Sequence, residues 1–215
     1  ALEDGGCVDD AVAGLKAACL TLGVSVNEGI NVAKLRRDGE RVTGVRIAEI
    51  EVAADAVLLA AGAWSAELSP DAEVRPVKGQ GIALRPPEGA EAWSGGIVKR
   101  GGKESVYVVP WEDEVLVGST TEPAADFDEH PTAEARTFLA RRAGEIIPAL
   151  RGAQILRHWA GLRPDGPGHQ PIMGRAEPGL YLCTGHYKIG IGMSPACSKI
   201  IADAIFSSHT SHSMI

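Results

Sequence analysis

The sequence has no long hydrophobic run and no cluster of basic residues. No apolar stretch approaches the roughly 20 residues that a membrane-spanning helix needs. The net charge is −7, so the chain lacks the basic surface that nucleic acid selects for. No secretory signal opens the sequence. Together these absences predict a cytoplasmic globular protein that binds neither nucleic acid nor a membrane.

Cysteine is scarce, and two common catalytic motifs are absent. The four cysteines (Cys7, Cys19, Cys183 and Cys197) are scattered and form no C-x-x-C pair, so we expect reduced thiols and no metal site. No Gly-x-Ser-x-Gly motif marks a serine hydrolase. Gly79-x-Gly81 lacks the third glycine of a dinucleotide fingerprint and lies in a strand-like segment. The chain therefore carries no dinucleotide fingerprint of its own.

Helical and extended patterns both occur before residue 74. Apolar residues recur at helical spacing after Asp9 and Asp10, either of which can cap a helix, and Gly23 closes it. The run from Ala56 to Ala61 is continuously apolar, which predicts a strand buried on both faces. The other predicted elements are a short strand at Val24 to Val26 and a hairpin of Val32 to Arg36 and Val42 to Ile47 around Asp38-Gly39.

From Val74 the pattern changes to short strands separated by glycine, proline or acidic turns, which predicts an antiparallel sheet. Thr132 is predicted to cap a helix that Pro148 ends. The predicted strands are Val74 to Leu84, Ile97 to Lys99, Ser105 to Val109 and Val115 to Ser119, with turns at Gly101-Gly102 and Glu112-Asp113. The apolar face of the helix comprises Ala135, Phe138, Leu139, Ala143, Ile146 and Ile147.

A strand, a glycine loop and a helix follow one another near the C-terminus. The predicted strand is Leu180 to Thr184, the loop is 185–192, and the helix runs from about Met193 to Phe206. Glycines let a ligand approach the backbone, and a helix N-terminus attracts a negative group. A plain glycine turn explains the same pattern, so both interpretations stay open. The polar tail from Ser207 is expected to be disordered.

One arginine stands at the end of a predicted strand. The strand from Gln154 to Gly161 leads into Arg163, and Pro164 is expected to stop it. A buried arginine is costly unless it is paired, and its planar fork suits a carboxylate. A structural arginine that caps a strand edge is an equally good interpretation of this motif alone.

Seven short stretches, in this order, resemble the D-amino-acid oxidase-like family of FAD-dependent amine oxidases, and within it the glycine oxidases of thiamine biosynthesis. The resemblance covers about Gly6 to Phe206. The matching stretches are Ala60-Ala61-Gly62-Ala63-Trp64-Ser65, Pro76-Val77-Lys78-Gly79-Gln80, Tyr107-Val108-Val109-Pro110, Val117-Gly118-Ser119-Thr120, Trp159-Ala160-Gly161-Leu162-Arg163-Pro164, Pro171-Ile172-Met173-Gly174 and Gly185-His186-Tyr187-Lys188.

The resemblance implies FAD as the cofactor and assigns roles to individual residues. Arg163 matches the arginine that pairs with the substrate carboxylate, and Tyr107 matches a tyrosine whose hydroxyl also reaches that carboxylate. Lys188 stands at a position where glycine oxidases commonly carry arginine. Two pocket positions, Thr121 and Ser105, leave the size of the substrate open. The implied cofactor-binding residues are Val32, which faces the adenine, Ala61, Gly62 and Trp64 along the dinucleotide, and Gly190, Ile191, Gly192 and Met193 under the flavin edge.

The resemblance also implies a fold and its division into domains. We expect a mixed α/β (α+β) fold in which 1–73 and 161–215 form part of a Rossmann-like FAD-binding domain. Residues 74–160 would form a substrate-binding domain built on an antiparallel sheet, with one face over the active site. The family's N-terminal βαβ unit, with its glycine fingerprint, has no counterpart in the sequence. We therefore expect this chain alone not to hold FAD tightly.

The implied activity is oxidation of glycine, or of a small amino acid or amine, to the oxo acid, with hydrogen peroxide formed from oxygen. Two alternatives stay open: a dehydrogenase of the same family that uses another acceptor, and a non-catalytic fragment or subunit of a split protein. The expected partners are the small-molecule substrate, an N-terminal segment or second chain that supplies the absent unit, and further copies of the chain in a homo-oligomer.

Overall fold

A computed structural model describes residues 5–88, 95–101, 104–123 and 126–210. The described chain divides into two compact units. One comprises 16–76 and 163–210, and the other comprises 5–15 and 77–162. Within these residues no helix combines the length and the apolar character that crossing a membrane requires.

The first unit contains two small sheets. β1, β2 and β3 pair antiparallel in chain order. The predicted hairpin exists, but its turn is Gly39-Glu40, one residue later than predicted, because Asp38 still pairs with Arg41 as the last residue of β1. In the second sheet the order is β11-β12-β4, with β12 and β4 parallel. The helix α1 (Gly5–Thr21) is divided between the units, with 5–15 in the second and 16–21 in the first. The other elements of the first unit are β1 (Lys34–Asp38), β2 (Arg41–Ile47), β3 (Ile50–Ala53), β4 (Val57–Leu59), α2 (Ser65–Leu68), β11 (Ile172–Glu177), β12 (Leu180–Thr184) and α4 (Gly190–Thr210).

The second unit is built on a sheet of order β10-β5-β8-β7-β6, with β9 also paired to β5. The pairs β5–β8, β7–β8 and β6–β7 are antiparallel, which confirms the antiparallel sheet predicted from residue 74 onward. The elements are β5 (Arg75–Leu84), β6 (Ile97–Gly101), β7 (Glu104–Trp111), β8 (Glu114–Gly118), β9 (Glu122–Pro123), α3 (Ala133–Ile146) and β10 (Ile155–Asp165).

The two faces of this sheet differ in composition because successive residues of a strand point to opposite sides. One face carries the aliphatic core, which packs against Leu139 and Ala143 of α3. The opposite face carries Gly81, Gly118 and Tyr107, because each is adjacent in sequence to a core residue. The core residues of the strands are Ile82, Leu84, Val106, Val108, Val115 and Val117, all fully or almost fully buried.

The predicted start of the first helix and the strand after it were wrong. The helix begins at Gly5, so Asp9 and Asp10 lie within it rather than before it. Val24 to Val26 form no strand. Gly23 adopts a φ of 81°, its amide donates to Leu20 and the amide of Val24 donates to Cys19. These two bonds complete a Schellman cap, so this backbone serves the helix end and not a sheet.

The strand predicted at Ala56 to Ala61 exists, as β4, but it is not buried on both faces. Leu58 is 41% exposed, so the face of β4 to which Leu58 points is open in the described residues. Three further strands, β3, β9 and β11, were not predicted. Gly102 of the predicted Gly101-Gly102 turn lies outside the described residues.

The strand that carries Arg163 does not stop at Pro164, as predicted, but runs to Asp165. Proline is tolerated in a strand where its missing N–H is not needed. Here the Pro164 carbonyl accepts a 2.8 Å bond from the amide of Tyr187, and Asp165 forms a β-bridge to His186. The loop after β12 therefore provides the partner that extends the strand.

The last helix begins earlier and ends later than predicted. α4 starts at Gly190, so Gly190 to Gly192 form its first turn and not a loop, and it continues to Thr210 instead of ending at Phe206. Pro195 cannot donate to the carbonyl of Ile191, and the Ser194 hydroxyl donates to that carbonyl instead, at 2.8 Å. Residues 211–215 of the predicted disordered tail lie outside the described range.

Candidate active site

A cavity of about 470 Å³ opens beside β4 in the first unit. Three of the residues predicted to bind the cofactor, Val32, Ala61 and Trp64, line it. Aliphatic side chains of β1, β2 and β4 supply much of the remaining wall. This volume falls within the range typical of sites for small molecules and cofactors.

A buried hydroxyl chain fixes the turn after β4. Gly62 adopts a φ of 56°, a conformation that favours glycine, and opens a short 3-10 helix. The Ser65 hydroxyl donates to Thr184 at 3.0 Å, and the Thr184 hydroxyl donates to the Gly62 carbonyl at 3.1 Å. Because Thr184 ends β12, these bonds tie together the carboxyl ends of two parallel strands. Ligands of open α/β sheets bind beyond such ends.

The other predicted cofactor-binding residues form the beginning of α4. Gly190, Ile191, Gly192 and Met193 make up its first turn, and the Met193 amide donates to the Ile189 carbonyl at 3.0 Å. The first amides of a helix lack intrahelical partners, and they lie at the positive end of its dipole. The start of this 21-residue helix is therefore suited to a negative or electron-rich group.

Arg163 lies within β10 and is only 5% exposed. Asp165 lies two residues further along the same strand, so both side chains point to the same face. Asp165 is buried, and its carboxylate accepts hydrogen bonds from Arg75 at 3.0 Å and from His169 at 2.6 Å. Burial raises the pKa of Asp165, but these bonds lower it more, so the pKa lies below its usual value. The carboxyl group is therefore charged at neutral pH.

Lys188 follows Tyr187 in the loop between β12 and α4. Its ammonium nitrogen lies 5.1 Å from the centroid of the Tyr187 ring, within cation–π distance. The Tyr187 ring also stacks on the ring of His169, with centroids 4.7 Å apart and planes 15° apart. Arg163 and Lys188 thus belong to adjoining segments of one unit, joined by the backbone bond from Tyr187 to Pro164.

Tyr107 lies in the second unit, on β7. Its ring covers Gly118 of the neighbouring strand: a Cβ atom on Gly118 would come within 2.4 Å of the Tyr107 hydroxyl oxygen. Trp159 covers Gly81 in the same way, at 2.5 Å. Gly81 and Gly118 face each other on β5 and β8, so two rings lie over a pair of glycines.

A second cavity, of about 240 Å³, adjoins the start of α3 in this unit. Thr121, one of the residues expected to influence substrate size, lines it together with Ser119, Glu122 and Phe138. The cavity is bordered by both hydroxyl and carboxylate groups.

Sequence patterns did not reveal the group formed by Arg75, Asp165 and His169. Arg75 is distant in sequence, and the ring of His169 comes to Asp165 through a short 3-10 turn, Pro167–His169. The sequence did contain one signal. Asp165 follows Arg163 by two residues, so in a strand its carboxylate points to the same face of the sheet as the Arg163 side chain.

A parallel strand pair that ends at a cavity and a helix N-terminus, combined with an antiparallel sheet unit, is typical of enzymes that bind a dinucleotide cofactor. Residues 2–204 match the family described as FAD dependent oxidoreductase. The chain belongs to this family.

Its relatives include glycine oxidases. The chain is 40% identical over 202 residues to the glycine oxidase of Pseudomonas putida, which covers 90% of this chain and 53% of the relative. It is 35% identical to the bifunctional protein ThiO/ThiG of Synechocystis, over 94% of this chain and 31% of that protein. The glycine oxidase structure from Bacillus cereus superposes with a TM-score of 0.79 at 32% identity, over 89% of this chain and 54% of that one. The chain thus spans about half the length of the glycine oxidases it matches.

Proposed function

We propose that this chain forms part of an enzyme that uses FAD to oxidise glycine, or a small amino acid or amine, to the corresponding oxo acid. The observation that carries the proposal is the buried Arg163 in a chain that belongs to the FAD dependent oxidoreductase family. The planar guanidinium of arginine suits bidentate binding of a carboxylate, the group that an amino-acid substrate carries. The identity to glycine oxidases favours a small substrate.

The described residues fit FAD in two places. The 470 Å³ cavity offers an apolar wall and a glycine turn, so Val32, Ala61, Gly62 and Trp64 would hold the adenosine side. The first turn of α4, Gly190 to Met193, would face the flavin edge. Two glycines there let the backbone approach a flat ring closely, and a Cβ on Gly192 would meet nothing within 4 Å.

Bound FAD supplies the acceptor for the hydride that leaves the substrate α-carbon. Arg163 and Tyr107 would orient the substrate by binding its carboxylate, and Lys188 would add a positive charge near it. The amides at the start of α4 would stabilise negative charge that develops beside them. We propose oxygen as the final acceptor, with hydrogen peroxide as product, and a role in thiamine biosynthesis as the resemblance to glycine oxidases implies.

Replacing Arg163 tests the assignment. In the FAD-loaded enzyme, Arg163→Ala should weaken glycine binding by about 2–5 kcal/mol, the cost of removing one partner of a buried charge pair. Arg163→Lys should recover part of the loss because it keeps the charge but not the planar fork. Steady-state kinetics with glycine measures both, and FAD absorbance confirms equal cofactor content.

Arg141→Ala is the matched control, because Arg141 is an exposed arginine of α3 in the other unit and should leave the kinetics unchanged. An unchanged apparent affinity in Arg163→Ala would contradict the role of Arg163. Reduction of an artificial dye without oxygen consumption would indicate a dehydrogenase instead of an oxidase. Failure to retain FAD even when the family's N-terminal βαβ unit is supplied would favour a non-catalytic fragment.

A further inference from the structure

Five side chains of the first unit form an unbroken series of contacts. Arg75 binds one oxygen of Asp165 through Nε at 3.0 Å and Nη2 at 2.9 Å, and His169 Nδ1 lies 2.6 Å from the other oxygen. The His169 ring stacks on Tyr187, and the Tyr187 ring faces the ammonium group of Lys188. The series runs from Arg75 through the buried carboxylate of Asp165 to Lys188, the residue at the candidate substrate position.

The buried member of the series needs its partners. The Asp165 side chain is 1% exposed, whereas those of Arg75 and His169 are 74% and 59% exposed. A buried carboxylate is costly unless charged or hydrogen-bonding groups reach it. Asp165 therefore holds His169 in one place, at the edge of the unit, where its ring can meet that of Tyr187.

The two loops that carry these rings interlock through their backbones. Tyr187 has a φ of 49° and His169 a φ of 60°, both uncommon for residues with side chains, so the surrounding contacts must maintain them. A Cβ atom on Gly166 would lie 2.4 Å from the Gln170 carbonyl oxygen. On Gly185 it would lie 3.3 Å from the same oxygen. Because close packing leaves this backbone little freedom, displacement of the His169 ring would also shift the loop that carries Tyr187.

We propose that His169, held by Asp165, is a positioning residue that fixes the Tyr187–Lys188 loop and thereby sets the Lys188 ammonium group for the carboxylate of the substrate. His169 touches neither substrate nor cofactor in this role. It acts through the stacked ring of Tyr187. The proposal rests on the proposed function for the identity of the ligand, but the positioning of the loop is a property of the fold alone.

Amide hydrogen exchange tests the positioning without any assumption about activity. In the purified enzyme, His169→Ala should accelerate exchange in the peptide that contains Tyr187 and Ile189, whose amides donate to Pro164 and His186. The matched control is His130→Ala. His130 Nδ1 makes the same 2.6 Å contact with an aspartate, Asp128, but in the other unit. This control should leave exchange in residues 185–190 unchanged.

Kinetics of the FAD-loaded enzyme test the consequence for the substrate. His169→Ala should raise KM for glycine about three- to tenfold, the scale of one lost aromatic contact, while kcat changes less than about twofold. His169→Phe retains a ring against Tyr187 and should recover most of the loss. In a Lys188→Met background, the same His169→Ala change should have no further effect on KM, because the residue through which it acts is gone.

The outcomes separate the two claims. Unchanged exchange at residues 185–190 in His169→Ala overturns the positioning role, whatever the enzyme does. The positioning role is also overturned if His169→Ala raises KM equally in the parent and in the Lys188→Met background. It is overturned as well if His169→Phe raises KM as much as His169→Ala does. If His169→Ala exchanges faster but the parent enzyme does not oxidise glycine, His169 remains the positioning residue and the proposed function is refuted instead.

Discussion

Glycines at two positions of the second unit make room for aromatic rings. Gly81 and Gly118 face each other on neighbouring strands, and the rings of Trp159 and Tyr107 lie over them. Any side chain at Gly118 would collide with the Tyr107 ring, whose atoms would lie 2.4–2.9 Å from a new Cβ. The hydroxyl of Tyr107, a candidate substrate-binding group, can therefore occupy its position only because Gly118 on the adjacent strand has no side chain.

Gly118→Ala should destabilise the protein by about 1–3 kcal/mol, the usual cost of overpacking a well-filled site. Gly161→Ala is the matched control, because a Cβ there would meet nothing within 4 Å and the residue also lies in a strand, β10. Urea denaturation of both variants measures the difference. A Gly118→Ala variant as stable as Gly161→Ala would show that the Tyr107 ring is free to move.

The start of α3 depends on a residue of another element. Thr132 accepts a hydrogen bond from the Ala135 amide at 3.3 Å, as the predicted cap requires. The buried Gln80 of β5 also donates to the Thr132 hydroxyl at 3.1 Å and accepts from its amide at 2.8 Å. Gln80 in turn donates to both oxygens of Glu122. The cap therefore attaches the helix to the sheet as well as satisfying its first turn.

Thr132→Ala should lower the free energy of unfolding by about 1–2 kcal/mol, because the cap and one bond to Gln80 are both lost. Thr132→Ser should keep most of the stability. Thr137→Ala makes the same substitution within the same helix, where the hydroxyl only donates back to the Ala133 carbonyl. It should be neutral or slightly stabilising, since alanine favours a helix interior. Equal losses in the two alanine variants, measured by urea denaturation, would contradict the role of the cap.

Charge pairs and partly buried histidines set how the whole protein responds to acid. Hydrogen bonds from Arg37 and Arg157 hold the pKa values of Glu177 and Glu114 below their usual value. Burial lowers the pKa values of His158 and His186. In all four cases the unfolded chain binds protons more readily than the folded chain, so protonation favours unfolding.

The free energy of unfolding should therefore decrease as the pH is lowered. The decrease should begin near pH 6.5, the ordinary value for His158 and His186. It should steepen below pH 4.5, where Glu114 and Glu177 of the unfolded chain take up protons. His158→Leu should flatten the first part of the curve without removing the second. Urea denaturation at a series of pH values measures this, and stability that increased between pH 6.5 and 5 would contradict the assignment.

The sequence by itself determined the family, the antiparallel sheet and most secondary elements. Alternating patterns, the Thr132 cap and the hairpin at Asp38-Gly39 are local signals, which depend on neighbours a few residues away. The ordered motifs from Ala60 to Lys188 carried the resemblance that the family match confirmed. The roles of Arg163, Tyr107 and Lys188, and the domain division, stay predictions.

Only the tertiary structure decided where several elements end and which side chains meet. β10 continues through Pro164 because the loop at Tyr187 supplies its partner, and Val24 is drawn into a helix cap instead of a strand. The contact between Arg75 and Asp165 joins residues 90 positions apart in the sequence, and it brings Arg75 to the same carboxylate as His169. Local propensity contains no information about such partners, because burial and pairing exist only once the chain is folded.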